Sequence, residues 1–244
     1  MSSFLDRLSA IRVVLVAPSH PGNIGSAARA MYTMGLDRLV LVNPRHFPHP
    51  EAVALASGAT PVLDAARAVR TLDEALDGAV LAVGYSARPR EFAGRVSPSR
   101  EIALEAIAHA ALGDVALVFG TEMFGLSNDE LARCNVVATI PCNPAYGSLN
   151  LAAAVQVAAY DVRLAAGGGE VWHAPRFKPA TVDEIEALYA HAKETLTAMR
   201  FLDPRMPKRL LPRLRRLFAR ATLEKEEVNI LRGILARIDL LFRR

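Results

Sequence analysis

Short runs of apolar residues alternate along the first two thirds of the chain with segments whose apolar positions recur at helical spacing. Continuous apolar runs are typical of parallel strands that are covered on both faces. Five such runs predict strands, at residues 12–17, 39–42, 80–83, 115–119 and 136–140. A brief extended piece is expected within 61–77. Residues 88–100 are polar and rich in turn formers, and they predict a mobile loop.

Segments with helical spacing separate these runs, at residues 24–34, 51–57, 72–76, 101–112 and 150–165, with Asn128 expected to cap one more short helix. Strands that alternate with helices predict an α/β domain with a mainly parallel sheet and helices on both faces. A glycine-rich stretch begins near residue 167 and predicts a linker. A capping box at Thr181 then begins a helix to about Phe201, and two more helices are expected near 208–220 and 223–241.

The predicted organisation is therefore an α/β domain at residues 1–166, a linker at 167–180 and a small all-helical domain at 181–244. A hydrophobic content of 52% supports a substantial core. The N-terminus lacks the pattern of a signal peptide, and no run of about 18 apolar residues predicts a membrane span. Cys134 and Cys142 are too few for a disulfide framework, which favours buried thiols in a cytoplasmic protein.

The net charge of +4 conceals an asymmetry between the two parts of the chain. Residues 1–170 contain 13 Lys/Arg and 16 Asp/Glu, whereas residues 171–244 contain 16 Lys/Arg and 9 Asp/Glu. The difference is −3 for the first part and +7 for the second. A basic tail on a nearly neutral α/β body points to a polyanionic partner, although a basic helical surface can also serve only for solvation.

Polar loops follow the last two predicted strands, and they are the first candidates for a site. Open α/β sheets bind ligands beyond the carboxyl ends of their strands. Gly120-Thr-Glu122 follows one strand, and Glu122 can either accept hydrogen bonds from a ligand or cap the next turn. The loop Gly147-Ser-Leu-Asn150 follows the other, with Ser148 expected as an N-cap and backbone N–H groups suited to a small polar ligand. We expect one site assembled from both loops.

A third candidate is Arg29, about two turns into the helix behind the loop at 18–23. From there it can reach an anion at the helix N-terminus, or it can be an ordinary surface arginine. The fingerprints GxGxxG and GxxxxGK[ST] are absent, which disfavours a dinucleotide-dependent enzyme and a P-loop site. The six histidines show no metal-ligand spacing, so no metal is expected.

Three segments in this order resemble the motifs of the SPOUT (trefoil-knot) RNA methyltransferases. Within them, the chain is similar to the TrmJ-like tRNA 2′-O-methyltransferases that act on nucleotide 32 of the anticodon loop. The motifs are Asn23-Ile-Gly25 with Arg29, Phe119-Gly-Thr-Glu122 with Gly125-Leu126, and Ile140-Pro141 through Ser148-Leu-Asn150. The C-terminal segments Phe201-Leu-Asp-Pro204, Pro212 to Arg216 and Asn229 to Gly233 resemble the tail domain of that family.

The resemblance implies a C-terminal trefoil knot, a homodimer, a tRNA substrate and S-adenosyl-L-methionine as cofactor, with S-adenosyl-L-homocysteine as product and no metal. It implies that the catalytic residues are Arg29, Asn23, Glu122, Ser148 and Asn150. The cofactor would be held by Tyr85, Ser86, Ala87, Gly120, Ile140, Gly147, Ser148 and Leu149. RNA contacts would come from Arg88, Arg90, Arg95, Lys208, Arg209, Arg213, Arg215 and Arg216.

One residue departs from the family pattern: Thr121 stands where the family usually has an arginine. Threonine cannot pair with a phosphate, so Arg88, Arg90 or Arg95 is expected to compensate if that arginine contacts RNA. Two alternative functions stay open. One is 2′-O-methylation of rRNA or of another tRNA position, and the other is RNA binding by a dimer without catalysis.

Overall fold

The computed structural model describes residues 4–87, 95–167, 177–206 and 208–242. Seven strands within them form one sheet in which every pairing is parallel. The strands are β1 (Ile11–Val16), β2 (Arg38–Val42), β3 (Arg67–Val69), β4 (Ala79–Tyr85), β5 (Arg95–Pro98), β6 (Asp114–Phe119) and β7 (Val136–Thr139). Their order across the sheet is β3-β2-β1-β6-β4-β7-β5.

Helices connect these strands and form the tail. They are α1 (Phe4–Ser9), α2 (Pro21–Thr33), α3 (Pro50–Ala56), α4 (Thr60–Asp64), α5 (Leu72–Leu76), α6 (Ser99–His109), α7 (Asn128–Ala132), α8 (Leu151–Gly167), α9 (Val182–Ala198), α10 (Leu210–Ala221) and α11 (Lys225–Phe242). No helix in this described part of the chain combines the length and the apolar character needed to cross a membrane.

Both faces of the sheet are covered, which confirms the prediction made from the continuous apolar runs. Every residue of β1 is buried. Val13 and Leu15 lie in a core with residues of α2, α6 and α8, while Val14 and Val16 lie in a second core with residues of α5 and α7. Because successive side chains of a strand point to opposite faces, a strand buried on both sides is mostly apolar. Arg12 is the charged residue of β1, and its guanidinium donates a hydrogen bond to the Asp77 carbonyl oxygen.

Of the two short edge strands, one was predicted as a loop and the other was expected as an extended piece. Residues 95–98 belong to the predicted loop, but they pair with β7 as the edge strand β5. Val96 is the one apolar residue of this strand apart from its terminal proline, and it is 50% exposed. A strand exposed in this way lacks the apolar run on which the prediction depended. At the other edge, the brief extended piece expected within 61–77 is β3.

The last two strands of the α/β domain enter the interior of the sheet. β6 lies between β1 and β4, and β7 lies between β4 and β5. The carboxyl ends of four adjacent strands, β1, β6, β4 and β7, therefore meet at one edge. The loops that begin there, together with the first turns of α2, contain all three motif segments. The trefoil knot concerns how the chain is threaded through these loops, and it stays a prediction.

The three tail helices share a small core of their own, which contains Leu188, Leu223 and Val228. The predicted capping box is confirmed, since Thr181 and Glu184 exchange hydrogen bonds at the start of α9. The tail is also attached to the α/β domain, because Val182 lies in the second core of the sheet.

Candidate active site

An open cavity of about 760 Å³ lies at the edge where the four strands end. Phe119 and Ala138 line it from the strand ends, and Leu151 and Ala154 line it from α8. All eight residues that the resemblance assigns to the cofactor also line it: Tyr85, Ser86, Ala87, Gly120, Ile140, Gly147, Ser148 and Leu149. The structure therefore brings the whole predicted set together, and its role in binding stays a prediction.

Tyr85 is the most firmly held of these residues. Its ring stacks on that of Phe119, with the centroids 4.5 Å apart and the planes 14° from parallel. Its hydroxyl lies 3.4 Å from Ser99 Oγ, which in turn donates a hydrogen bond of 2.6 Å to Asp161 Oδ2. Burial raises the pKa of the Tyr85 phenol, so the side chain is neutral and acts through its ring and its position.

Gly120 and Thr121 give the loop after β6 its shape. A Cβ on Gly120 would lie 2.1 Å from the carbonyl carbon of Gly125, so only glycine permits the loop to fold back on itself. Thr121 Oγ1 accepts a hydrogen bond of 3.1 Å from the backbone N–H of Phe124, inside the same turn. The threonine at this position thus stabilises the loop beside the cavity.

Glu122 joins this loop to the loop that follows β1. Its carboxylate accepts hydrogen bonds from the backbone N–H and the hydroxyl of Ser19, from the N–H of His20 and from the Asn23 amide, at 2.8 to 3.2 Å. Burial alone would raise the pKa of Glu122, but hydrogen bonds from Asn23, from its own backbone and from Ser19 lower it to about 2. These contacts join Glu122 to the start of α2, whereas the sequence suggested a cap on the turn that follows Glu122 itself. A hydrogen bond between a ligand and Glu122 stays a prediction.

Asn23 and Asn150 extend this network across the site. Asn23 donates a 3.0 Å hydrogen bond to Glu122 and accepts one of the same length from Asn150 Nδ2. Asn150 Oδ1 accepts from the backbone N–H of Ala152 at 2.9 Å. Three of the five predicted catalytic residues therefore lie in one chain of hydrogen bonds.

Three local expectations from the sequence were wrong. Asn23 lies inside the first turn of α2 and not in the loop, because Pro21 begins the helix earlier than its apolar spacing indicated. Asn150 caps α8 in place of Ser148, whose exposed side chain faces the cavity. Ser127 caps α7 in place of Asn128, through a capping box with Glu130. In the last two cases several residues able to cap stand close together, and spacing alone did not choose between them.

Arg29 lies two turns into α2 with its side chain exposed, and within the described residues no hydrogen bond or ion pair holds it. Its helix is fixed by close packing on α3. A Cβ on Gly25 would lie 2.1 Å from the carbonyl oxygen of Ala52, so Gly25 permits the two helices to touch backbone to backbone. Ser148 is likewise exposed and free of the Asn23–Glu122 chain of hydrogen bonds described above.

The predicted RNA-binding residues fall into three groups. Arg88 and Arg90 lie outside the described residues. Arg95 forms an ion pair with Glu105 of α6, so its charge is already partnered inside the protein. Of the tail residues, four have exposed side chains, namely Lys208, Arg209, Arg213 and Arg216.

Arg215 differs from these four. It points inward, where its guanidinium pairs with Glu186 and lies 4.2 Å from the centroid of the Tyr189 ring. The spacing of the arginines in the sequence already indicated that Arg215 lies on a different face of α10. Arg213, Arg216 and Arg220 are spaced as one face of a helix, and Arg215 is two positions from the first of them and therefore on another face.

The two cysteines are free. Cys134 is buried, which raises the pKa of its thiol to about 12. Cys142 is half-buried and lines the cavity, so the expectation of a buried thiol fails there. Across the described residues, no group of three or more His, Cys, Asp or Glu side chains is placed to hold a metal ion.

Sequence reasoning missed Ser19, Ser99 and Asp161, the residues that hold Glu122 and Tyr85. Ser19 belongs to the polar loop at 18–23 that precedes the helix of Arg29, so its neighbourhood was available from the sequence. Ser99 and Asp161 are 62 positions apart and belong to no motif, and only the fold brings them together.

Comparison with known proteins gives two family matches that together cover most of the chain. The model of the SpoU rRNA Methylase family matches residues 10–160. The model described as tRNA methyltransferase TrmJ, C-terminal domain, matches residues 183–244.

Individual relatives are similar over nearly their whole length. The chain is 52% identical to the tRNA (cytidine/uridine/adenosine-2′-O-)-methyltransferase TrmJ of Pseudomonas aeruginosa, over 98% of this chain and 96% of that one. It is 50% identical to the tRNA (cytidine/uridine-2′-O-)-methyltransferase TrmJ of Escherichia coli K12, over 95% and 96%. The crystal structure of TrmJ from Z. mobilis ZM4 superposes with a TM-score of 0.82 at 33% identity, over 93% of this chain and 98% of that one.

Proposed function

Because this chain belongs to the SpoU methylase family and ends in a TrmJ-type C-terminal domain, we propose that it methylates the ribose 2′-hydroxyl of nucleotide 32 in the tRNA anticodon loop. The methyl donor is S-adenosyl-L-methionine. The observation that carries the proposal is the cavity at the strand ends, whose edge residue Glu122 is joined by hydrogen bonds to Asn23 and Asn150. The names of the Pseudomonas and Escherichia relatives support the reaction and the substrate class.

The residues of the cavity suit this cofactor. The cavity combines apolar lining with a few polar groups, as small-molecule sites do. Ile140, Leu149 and Leu151 offer apolar surface for an adenine ring, and Ser148 and the ionised Glu122 offer polar contacts to the other end of the molecule. When bound, the cofactor supplies a methyl group already activated on a sulfonium, and this transfer needs no metal.

The protein has to place the 2′-hydroxyl in line and assist the loss of its proton. With a pKa of about 2, Glu122 is too weak a base at neutral pH to take that proton. Its role is to hold Asn23 and the loop of Ser19 in register with the cavity. Arg29 is exposed on the same helix as Asn23, so its guanidinium is available to bind the target phosphate. Its positive charge also favours loss of the proton from the 2′-hydroxyl.

The tail supplies the affinity for RNA. Lys208, Arg209, Arg213 and Arg216 are exposed, and a basic surface of this kind binds a phosphate backbone largely through counterion release. Thr121 is no sign of lost activity, since its hydroxyl stabilises the turn beside the cavity. A tRNA substrate places the reaction in the cytoplasm.

We further propose that the protein works as a homodimer. Helix α8 exposes Tyr160 and Leu164 at 50% and 45% of their surface, four positions apart and therefore on one face of the helix. A second copy packed on this face would cover apolar surface of α8, the same helix that lines the cavity through Leu151 and Ala154.

The proposed function is tested by mapping ribose methylation on tRNA transcripts that carry cytidine, uridine or adenosine at position 32. The protein is incubated with S-adenosyl-L-methionine and each transcript, and the nucleosides are analysed by mass spectrometry. We expect a 2′-O-methyl group at position 32 and none in a transcript whose nucleotide 32 is already 2′-deoxy. Methylation at another position, or of rRNA alone, would contradict the assignment.

A further inference from the structure

Two residues on one face of α9 contact the α/β domain in the described part of the chain. The first is Val182, which is 5% exposed and packs in the second core of the sheet. The second is Glu186, one turn further along the same helix, whose side chain is 21% exposed. Two attachments one turn apart can fix the direction of a helix, whereas one alone would leave it free to pivot.

Glu186 bridges two arginines from different domains. Its Oε2 lies 2.6 Å from Nη1 of Arg133, at the end of α7, and 2.6 Å from Nη2 of Arg215, in α10. Its Oε1 accepts a second hydrogen bond from Arg215, so that pair is bidentate. Arg133 also reaches Asp73, at 3.3 Å. These side chains are one fifth to one third exposed, except for Asp73, and pairs of this geometry are among the stronger ones in proteins.

An open cavity of about 1340 Å³ is lined by residues of α7, α9 and α10, and both arginines line it. The Arg133–Glu186–Arg215 bridge is a charged contact that links α10 to the α/β domain at this cavity. On the other side of the bridge, α7 follows directly after Leu126, which ends the loop of Gly120 and Gly125 at the first cavity.

We infer that Glu186 is a positioning residue for the RNA: by bridging Arg133 and Arg215 it holds the basic face of α10 in register with the cavity at the strand ends. This inference rests on the proposed methylation of tRNA. Arg215, which the resemblance assigns to RNA contact, then acts inside the protein. A tRNA bound to α10 meets the methyl donor only while the bridge is closed, so opening it reduces the effective concentration of the target nucleotide at the site.

The decisive variants are Glu186→Gln and Arg133→Met in the full-length chain. Each opens the bridge without removing a basic residue of the exposed tail face. We expect the KM and the Kd for tRNA to rise about tenfold, as the loss of a charge-assisted hydrogen bond predicts. The kcat at saturating tRNA and the Kd for S-adenosyl-L-methionine should stay within about twofold of the wild type, since no residue of the cavity at the strand ends or of the Asn23–Glu122 network is altered. Arg133→Lys keeps a positive charge and should give an intermediate KM.

Glu194→Gln is the matched control, because it makes the same change on an exposed residue of the same helix. This control variant should leave the kcat, the KM and the Kd for tRNA, and the Kd for S-adenosyl-L-methionine unchanged. Thermal melting of each variant shows that it is folded before the constants are compared.

Tighter tRNA binding by the Glu186→Gln variant would overturn the inference. If Arg215 instead contacts a phosphate directly, Glu186→Gln frees its guanidinium, tightens tRNA binding and steepens the salt dependence by about one unit. Unchanged tRNA constants in both variants would also overturn it. A wild-type protein that binds tRNA without methylating it would refute the proposed function alone, and the bridge would still be judged by the Kd for tRNA.

Discussion

Arg29 is exposed, unlike the hydrogen-bonded residues around it, and its side chain can be removed without disturbing the fold. We expect Arg29→Ala to lower kcat/KM for tRNA methylation at least about a hundredfold, which is the usual contribution of a group that assists proton transfer. Binding of S-adenosyl-L-methionine, measured by calorimetry, should be unchanged. Arg67→Ala, at the opposite edge of the sheet, is the control and should retain activity. Full turnover by the Arg29 variant would remove this arginine from the mechanism.

Glu122 makes stability depend on pH in a predictable direction. Its pKa falls from an ordinary 4.5 to about 2 on folding, so the folded state favours the ionised form. That contribution is complete above pH 4.5 and is lost as the pH falls towards 2. We expect Glu122→Gln to reduce the free energy of unfolding by about 1 kcal/mol at pH 7, a modest value because the site is partly exposed. Denaturant unfolding should show this difference shrinking at pH 3, and a constant difference would argue against the hydrogen bonds to Ser19 and Asn23.

At the residue scale, the sequence predicted which side chains surround the site better than what each of them does. Tyr85, Gly120 and Ser148 were placed correctly at one cavity because parallel strands bring their carboxyl ends to the same edge. The N-cap of α8 was assigned to the wrong residue, since Ser148 and Asn150 both have the chemistry and only the backbone path selects one. The partner of Glu122 lies 103 positions away in Ser19, a distance over which local patterns carry no information.

Two helical glycines allow the packing of α2 on α3 to be tested. Gly25 has the Ala52 carbonyl oxygen 2.1 Å from where a Cβ would lie, whereas Gly233 in α11 has open space around it. We expect Gly25→Ala to destabilise the protein by about 2 kcal/mol or more through overpacking. The same change at Gly233 should stabilise it by about 1 kcal/mol, because alanine is the better helix former. Thermal melting measures the Tm of both variants, and equal changes in Tm would contradict the close contact of α2 with α3.

The outer face of α10 is expected to determine how tRNA binding responds to salt. Replacing both Arg213 and Arg216 by alanine should reduce the slope of log K against log salt by about two, one for each lost phosphate contact. Replacing Arg232 and Arg237 of α11 removes the same charge from another helix and should leave the slope nearly unchanged. Filter binding over a range of salt concentrations provides the measurement. Equal slopes for the two double variants would indicate a diffuse electrostatic effect with no defined face.

At the element scale, strands buried on both faces were predictable, whereas the exposed edge strand β5 was not. β1, β4 and β6 are long apolar runs, and the sequence placed each of them within a few residues. β5 is polar and exposed, so its pairing with β7 depends on where β7 lies and not on its own composition.

The oligomeric state can be tested through the exposed face of α8. We expect the protein to sediment as a dimer, and Tyr160→Arg to shift it towards the monomer by placing a charge in an apolar contact. An arginine introduced at Leu55, an exposed residue of α3, controls for added charge and should leave the mass unchanged. A wild-type monomer would exclude α8 as a contact between copies.

At the scale of the whole molecule, the sequence predicted the order of the elements but not how the domains touch. A basic helical tail after an α/β body was evident from charge and spacing. The packing of Val182 in the core of the sheet and the bridge through Glu186 join residues far apart in the chain. Neither contact has a local pattern, so both required the three-dimensional structure.

The place of β6 in the sheet also affects how the chain is made. β6 separates β1 from β4, so these two strands have no direct pairing with each other and await the residues of 114–119. During synthesis from the N-terminus, more than a hundred residues leave the ribosome before that central strand exists. Until then, β1 and β4 each present an unpaired apolar edge, the kind of surface through which nascent chains associate wrongly. Slow translation before β6 has left the ribosome should therefore increase aggregation of this protein, whereas a pause after the whole sheet has emerged should not.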